Sequence, residues 1–222
     1  TVFDKAIKAG IITQNPTRKD EYPPLKVVDD KRVRFLGQRD ENENFAAGER
    51  QRLLEALKTM NPLIQSIVGL AMNTGCRRGE LFSLKWENVS LKNRTVTIPG
   101  HITKSGKKRD IPLNSKAVEI LKSWRTSQVD VISLSNNSLV FQHPVTGERI
   151  PNINKEWDVL KERAQLTDFR FHDLRHDFAS RLVMAGISLY EVRDLLGHTS
   201  ITMTERYSHL ADEHLRNAVE VL

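Results

Sequence analysis

Four short segments of the sequence set a cation, an imidazole or a phenol beside a residue that stops regular structure. In TGCRRGEL, Gly75 closes one apolar run and Arg77 opens the next. The guanidinium then stands near free backbone N–H groups, a favourable place for a phosphate. ITKSGKKRDIPL carries Lys104 just ahead of a tight turn, with Lys107, Lys108 and Arg109 behind it. Such cations are ordinarily soluble turn tips, and secondarily contacts to a phosphate backbone. FHDLRHDF spaces His172 and Arg175 three apart, on one helical face, so both can address the same small anion. LLGHTSITMTERYSHL places His198 directly after Gly197, and Tyr207 nine residues later.

Taken singly, each of these has an ordinary reading: a solvated arginine, a capping histidine, a tyrosine in a helix core. Together they make the inventory for metal-free attack on a phosphodiester. Arg77 and Arg175 can hold the non-bridging oxygens and offset the charge of a pentacoordinate transition state. A base takes the Tyr207 proton and an acid protonates the leaving oxygen. With an ordinary pKa near 10, a tyrosine needs such company to act at neutral pH. His172, Asp173 and His176 also open a metal-dependent phosphodiesterase reading. Against it, a catalytic zinc site wants three ligands, and Arg175 stands between the two histidines as a competing cation.

The elements that must position these groups follow from periodicity and stop signals. ERQRLLEALKTM has helical spacing, and Asn61-Pro62 is an N-cap and N1 pair for a helix that runs to Thr74 and ends at Gly75. RRGELFSL reads as a short helix. β-rich stretches follow near Val89, at 95–99, and as HITK and KRDIPL flanking a turn at Ser105-Gly106-Lys107. Asn114 caps a helix through Trp124, SLVFQ at 138–142 reads as a further strand, and INKEWDVLKERAQL as a helix. The last third reads as wholly helical. HDLRHDFASRLVMAG stops at Gly186, Ser188-x-x-Glu191 is a capping box for a helix ended by Gly197, and Thr202-x-x-Glu205 is a second box opening a helix that carries Tyr207. The fold class is α+β: mostly helical, with a small antiparallel β-sheet near the N-terminal third.

At 222 residues and 39% hydrophobic content the chain can bury a proper core. The formal charge of +6, from 34 Lys and Arg against 28 Asp and Glu, suits a polyanionic partner. Cys76 is the single cysteine, which excludes an intrachain disulfide and leaves too few thiolates for a Cys-based metal site; a small buried side chain is expected there. No apolar run reaches the ~18 residues needed to span a bilayer, so a cytoplasmic setting is expected. Residues 1–44 are rich in charge and turn formers and read as the end of a preceding domain with its linker; 45–222 is the compact part.

In order and in type, the four segments resemble those of the tyrosine recombinases, the phage-integrase family of site-specific DNA recombinases. That family's pattern is an Arg in T-G-x-R-x-x-E-L, a Lys on a β-hairpin, H-x-x-R, a His or Trp after L-G, and a Tyr near the C-terminus. The resemblance spans 45–222. It implies that Arg77 and Arg175 clamp the scissile phosphate, Lys104 is the general acid on the 5′ oxygen, and His172 assists proton removal from Tyr207. His198 would hydrogen-bond the phosphate, Glu80 would support Arg77, and Lys107 and Lys108 would touch DNA. Tyr207 would form a 3′-phosphotyrosyl link, without metal, cofactor or ATP. The wording of HDLRH and MTERYSHL is most similar to integrases of phages and mobile elements in bacteria. The implied partners are double-stranded DNA attachment sites, three further copies in a tetramer on DNA and an accessory directionality factor, in the nucleoid; residues 1–44 would end a core-binding domain, and 211–222 would be a tail exchanged between subunits. A type IB topoisomerase or telomere resolvase shares the Arg, Lys and Tyr chemistry, and a DNA-binding module with a dead site is the rival from another class.

Overall fold

The computed structural model describes residues 2–15, 33–37, 48–103, 106–128, 138–143 and 145–211. The chain divides into two compact units, Thr1–Arg32 and Val33–Leu222. Within the first, helix α1 (Val2–Lys8) has no buried residue. The division falls ahead of the 44/45 boundary suggested by composition. Phe35 and Leu36 are buried, Arg34 pairs with Glu49 at 2.9 Å, and the Leu36 N–H donates to Asp177 at 3.1 Å. Residues 33–37 are thus anchored in part by Asp177, far along the chain, which local composition does not register.

The second unit opens with α2 (Glu49–Lys58) and α3 (Pro62–Thr74). Asn61 accepts from the Ile64 N–H and Pro62 occupies the first turn, a cap of about 1 kcal/mol. Nine residues of α3 are buried, and this nearly all-apolar rod packs against α5 (Ser115–Gln128) and α7 (Asp173–Met184). α4 (Arg78–Phe82) follows Gly75. Strands β1 (Val89–Ser90), β2 (Thr95–Ile98) and β3 (Arg109–Pro112) form an antiparallel sheet in that order, with Val96 opposite Ile111 and Ile98 opposite Arg109. α6 (Asn154–Arg163) packs on α2. The Ser188–Glu191 box caps α8 (Leu189–Leu196), which Gly197 ends, and α9 (Thr202–Glu205) is a single turn.

Three local expectations are corrected. Residues 101–103 of HITK are not a strand: Gly100–Ile102 forms a 3-10 turn and β2 pairs directly with β3, while Lys104 lies outside the described residues. Pro99 has no N–H to continue the ladder, and a Cβ at position 100 would lie 2.4 Å from the Gly106 carbonyl oxygen. SLVFQ makes only isolated bridges, Lys85 with Leu139 and Gln142 with Arg149. The second capping box does not form. Ile201, not Thr202, precedes α9, and Tyr207 lies two residues beyond the helix end, before a 3-10 turn at Ser208–Ala211.

Buried apolar side chains gather in two clusters. The larger joins α2 to α6 with the sheet and ends, on α7, at Leu174. The smaller takes Ala179 and Val183 from α7, Val192 and Leu196 from α8, and Tyr207. Between them α7 buries three polar residues in succession, Arg175, His176 and Asp177. Buried polar groups require partners; where those partners lie defines the site.

Candidate active site

Arg77 is the residue before α4, and its placement is fixed by a carboxylate. Glu80, 2% exposed, accepts from the Arg77 backbone N–H at 2.8 Å and from its guanidinium at 2.9 Å. The same carboxylate receives Arg109 of β3 through both terminal nitrogens, at 3.3 and 3.0 Å. Burial opposes ionisation of Glu80, but the Arg109 charge, the Arg77 N–H and both guanidiniums outweigh it and hold its pKa below the ordinary value. Arg77 keeps 27% of its side chain exposed, so one cation of this trio faces outward and the other is internal.

Arg175 is 4% exposed and spends its donors on backbone carbonyls, Gly75 at 2.7 Å and Leu196 at 2.6 Å. These carbonyls belong to two glycine turns, at the ends of α3 and α8, which close in around the arginine. Both glycines are left-handed, φ 61° and 65°. A Cβ on Gly75 would come within 2.5 Å of the Phe178 ring, and one on Gly197 within 2.4 Å of the Arg109 guanidinium. Only glycine meets both the backbone angle and the space. Burial, then Arg77 and Arg109, draw the Arg175 pKa down to about 9, partly offset by Glu80 and Tyr207, so the group stays charged at neutral pH.

The Tyr207 ring, 1% exposed, belongs to the smaller apolar cluster, and its hydroxyl meets Nδ1 of His176 at 2.7 Å. Burial raises the phenol to about 12, against the opposing pull of Arg175 and Arg206. At pH 7 roughly one molecule in 10⁵ therefore carries the phenolate. His198, in the turn after Gly197, pairs through Nδ1 with Thr204 Oγ1 at 2.9 Å. Burial, then Arg175, Arg77, Arg206 and His176, push its pKa down to about 3, so it is neutral. His172 precedes α7 and is exposed as a residue. Desolvation of its ring, then Arg175, lower its pKa, with Asp173 opposing and Arg77 and Arg206 adding to the lowering. Its ring stands edge-on to that of His176, centroids 5.3 Å apart.

Of the residues singled out in the sequence, Arg77, Glu80, His172, Arg175, His198 and Tyr207 thus share one electrostatic neighbourhood. Lys104 lies outside the described residues. Lys107 and Lys108 are exposed just before β3, with Lys108 3.6 Å from Asp110. Three residues enter that sequence reasoning had not given a place. Arg109 is buried on Glu80, not a turn-tip cation; the alternation of RDIP, with Arg109 and Ile111 on one face, was the available signal. His176, considered only as a metal ligand, is the imidazole on the Tyr207 hydroxyl; Arg206 adjoins it. Cys76 is buried and its thiol is pushed up, first by burial.

The phage integrase family matches residues 43–214. The integrase of Salmonella phage P22 is 31% identical over 202 residues, covering 88% of this chain and 49% of that protein. A shufflon-specific DNA recombinase of Escherichia coli is 31% identical over 170 residues, covering 76% of this chain and 40% of that one. The chain therefore spans about half the length, or less, of these relatives. Among solved structures, XerA recombinase superposes with a TM-score of 0.63 at 27% identity, over 78% of this chain and 62% of that one. The matched span contains Arg77, Glu80, His172, Arg175, His198 and Tyr207 in a mostly helical fold with a small antiparallel sheet, and the chain belongs to the phage integrase family.

Proposed function

We propose that this chain breaks and rejoins DNA strands at specific sites by transesterification through Tyr207, in the integration and excision of a phage or other mobile element. The observation that carries the reading is the convergence of Arg77 and Arg175, each held in place by other protein groups, on a neighbourhood shared with the Tyr207 phenol. Two fixed guanidiniums supply charge and geometry for a phosphodiester and for the further negative charge of its pentacoordinate transition state. Tyr207 attacks phosphorus, the P–O5′ bond breaks, and a 3′-phosphotyrosyl link conserves the bond energy. A 5′-hydroxyl from another duplex then reverses the step without ATP. Glu80 holds Arg77, neutral His198 donates to a phosphate oxygen, His172 assists proton removal from Tyr207, and Lys104 protonates the leaving oxygen. Relatives named as an integrase and as a DNA recombinase support the substrate class.

The partners of this reading are double-stranded attachment sites, touched also by Lys107 and Lys108, further copies of the chain in a tetramer on DNA, and an accessory factor that sets direction. The setting is the bacterial nucleoid. Among the described residues no helix is long and apolar enough to cross a membrane. Residues 1–44 serve as the end of a core-binding domain with its linker, and 211–222, of which the structure describes only Ala211, as the tail coupling subunits.

The test is capture of the covalent intermediate. Genomic DNA of the source organism is incubated with the protein in EDTA, and SDS-resistant protein–DNA adducts are precipitated and sequenced. A nicked duplex of the recovered sequence then gives a single-turnover assay. The adduct is expected with the unaltered chain and absent with Tyr207→Phe. An adduct that persists in Tyr207→Phe, or needs a divalent metal, refutes the mechanism.

A further inference from the structure

We infer that His176 is the group that receives the Tyr207 proton during attack, a catalytic residue of the reaction just proposed and resting on that proposal. Its Nδ1 stands 2.7 Å from the phenolic oxygen, within direct transfer distance. A phenol is the donor of that bond when Nδ1 carries no hydrogen, which is the tautomer a proton acceptor requires. The pair is held from both sides. His176 is buried one residue after Arg175 on α7, and the Tyr207 ring is packed among Ala179, Val183, Val192 and Leu196.

The charged and titratable groups around the pair come from every adjoining element: His172, Asp173 and Arg175 on α7, Arg77 before α4, His198 in the turn after α8, and Arg206 beside the tyrosine. Cations predominate. A phosphodiester between Arg77 and Arg175 would bring the opposing negative charge to this cationic surround.

The step balances. The Tyr207 O–H bond breaks and its proton passes to His176 Nδ1. The phenolic oxygen bonds to phosphorus as the P–O5′ pair leaves with O5′, which takes a proton from the general acid. Resealing returns the proton from His176 to the phenol.

The assay is single-turnover adduct formation on the nicked duplex described above, followed against pH. In His176→Asn the amide reaches the Nδ1 position and keeps the hydrogen bond but accepts no proton. The expected result is a rate about 10²- to 10⁴-fold lower, loss of the acid limb of the pH profile, and unchanged DNA affinity. A sulfur in place of the bridging O5′, which leaves without protonation, does not restore the rate. Cleavage within about threefold of the parent, faster cleavage, or rescue by sulfur overturns the assignment. If His176→Asn melts below the assay temperature, His172→Asn serves instead. An acid limb that persists without His172 supports His176 as the acceptor, and one that is lost with His172 overturns it. Absence of any adduct from the unaltered chain removes the parent reading, and this one with it.

Discussion

Replacing Arg109 with leucine isolates the joint between the sheet and Arg77. The change deletes two hydrogen bonds to Glu80, at 3.3 and 3.0 Å, and leaves a carboxylate that is 2% exposed with Arg77 as its remaining hydrogen-bonded cation. Removing one partner of a buried pair costs about 3–5 kcal/mol when the charge left behind is uncompensated; with Arg77 still bonded to Glu80 the expected loss is smaller, about 2–3 kcal/mol. The pH dependence gives the cause away. In the parent, Glu80 is held below its ordinary 4.5, so it contributes stability above that value that is lost as pH falls through the folded pKa. Without Arg109, burial, already the largest single influence on Glu80, raises the folded pKa, and falling pH relieves the variant by protonating it. The two stability curves should converge as pH falls from neutral toward the ordinary carboxylate range. Adding Glu80→Gln to Arg109→Leu should recover about 2 kcal/mol at neutral pH, a coupling readable by urea unfolding followed through the tryptophans. Additivity of the two changes within about 0.5 kcal/mol, or a deficit that does not vary with pH, would refute the account.

Two further outcomes follow from the same geometry. Gly75→Ala combines a left-handed φ of 61° with a Cβ 2.5 Å from the Phe178 ring and 3.1 Å from Leu196, so it should destabilise by at least about 2 kcal/mol, seen as a lower urea midpoint with unchanged slope. His198 has its folded pKa depressed to about 3 from an ordinary 6.5. Its contribution is complete above about 6.5 and is lost as pH falls toward the folded value, because the unfolded chain takes the proton first. At pH 5 the loss is about 2 kcal/mol, and the variant His198→Asn should show a correspondingly flatter stability profile between pH 6.5 and 4.

Much of this was legible in the sequence because it depends on local signals. Asn61-Pro62, Gly75, Ser188-x-x-Glu191 and Gly197 announce the helix ends that hold Arg77 and His198, and the structure uses each as a cap or stop. What escaped depends on contacts far apart in the chain. Arg109 is followed by exposed Asp110, and only the burial of Glu80, 29 positions earlier, turns it inward. The imidazole on the Tyr207 hydroxyl lies 31 residues before it, and nothing at His176 distinguishes it from its neighbour His172 except which way α7 rolls. The second capping box failed for a related reason. Thr204, on the same turn, is drawn to His198, and the chain winds only one turn before Tyr207.

The electrostatics of the resting site bear on how the tyrosine would react in the proposed cleavage. Arg175 and Arg206 both favour the phenolate, yet burial prevails and the phenol stands near 12. Ionising it in advance at pH 7 would take about 7 kcal/mol, from five pKa units at 1.36 kcal/mol each. A site built to hold a ready-made phenolate would expose it to its cations and to water; this one packs the ring among Ala179, Val183, Val192 and Leu196. The cations are instead committed elsewhere, Arg77 and Arg109 to Glu80 and Arg175 to the carbonyls that end two helices. In the proposed reaction their uncancelled charge meets a phosphate, whose additional negative charge develops only as the new bond forms. In the proposed reaction, attack and deprotonation then proceed together, with the proton moving to the imidazole already in contact as phosphorus accepts the oxygen. That requirement is chemical rather than topological: loss of the base should slow cleavage steeply while leaving the grip on DNA intact.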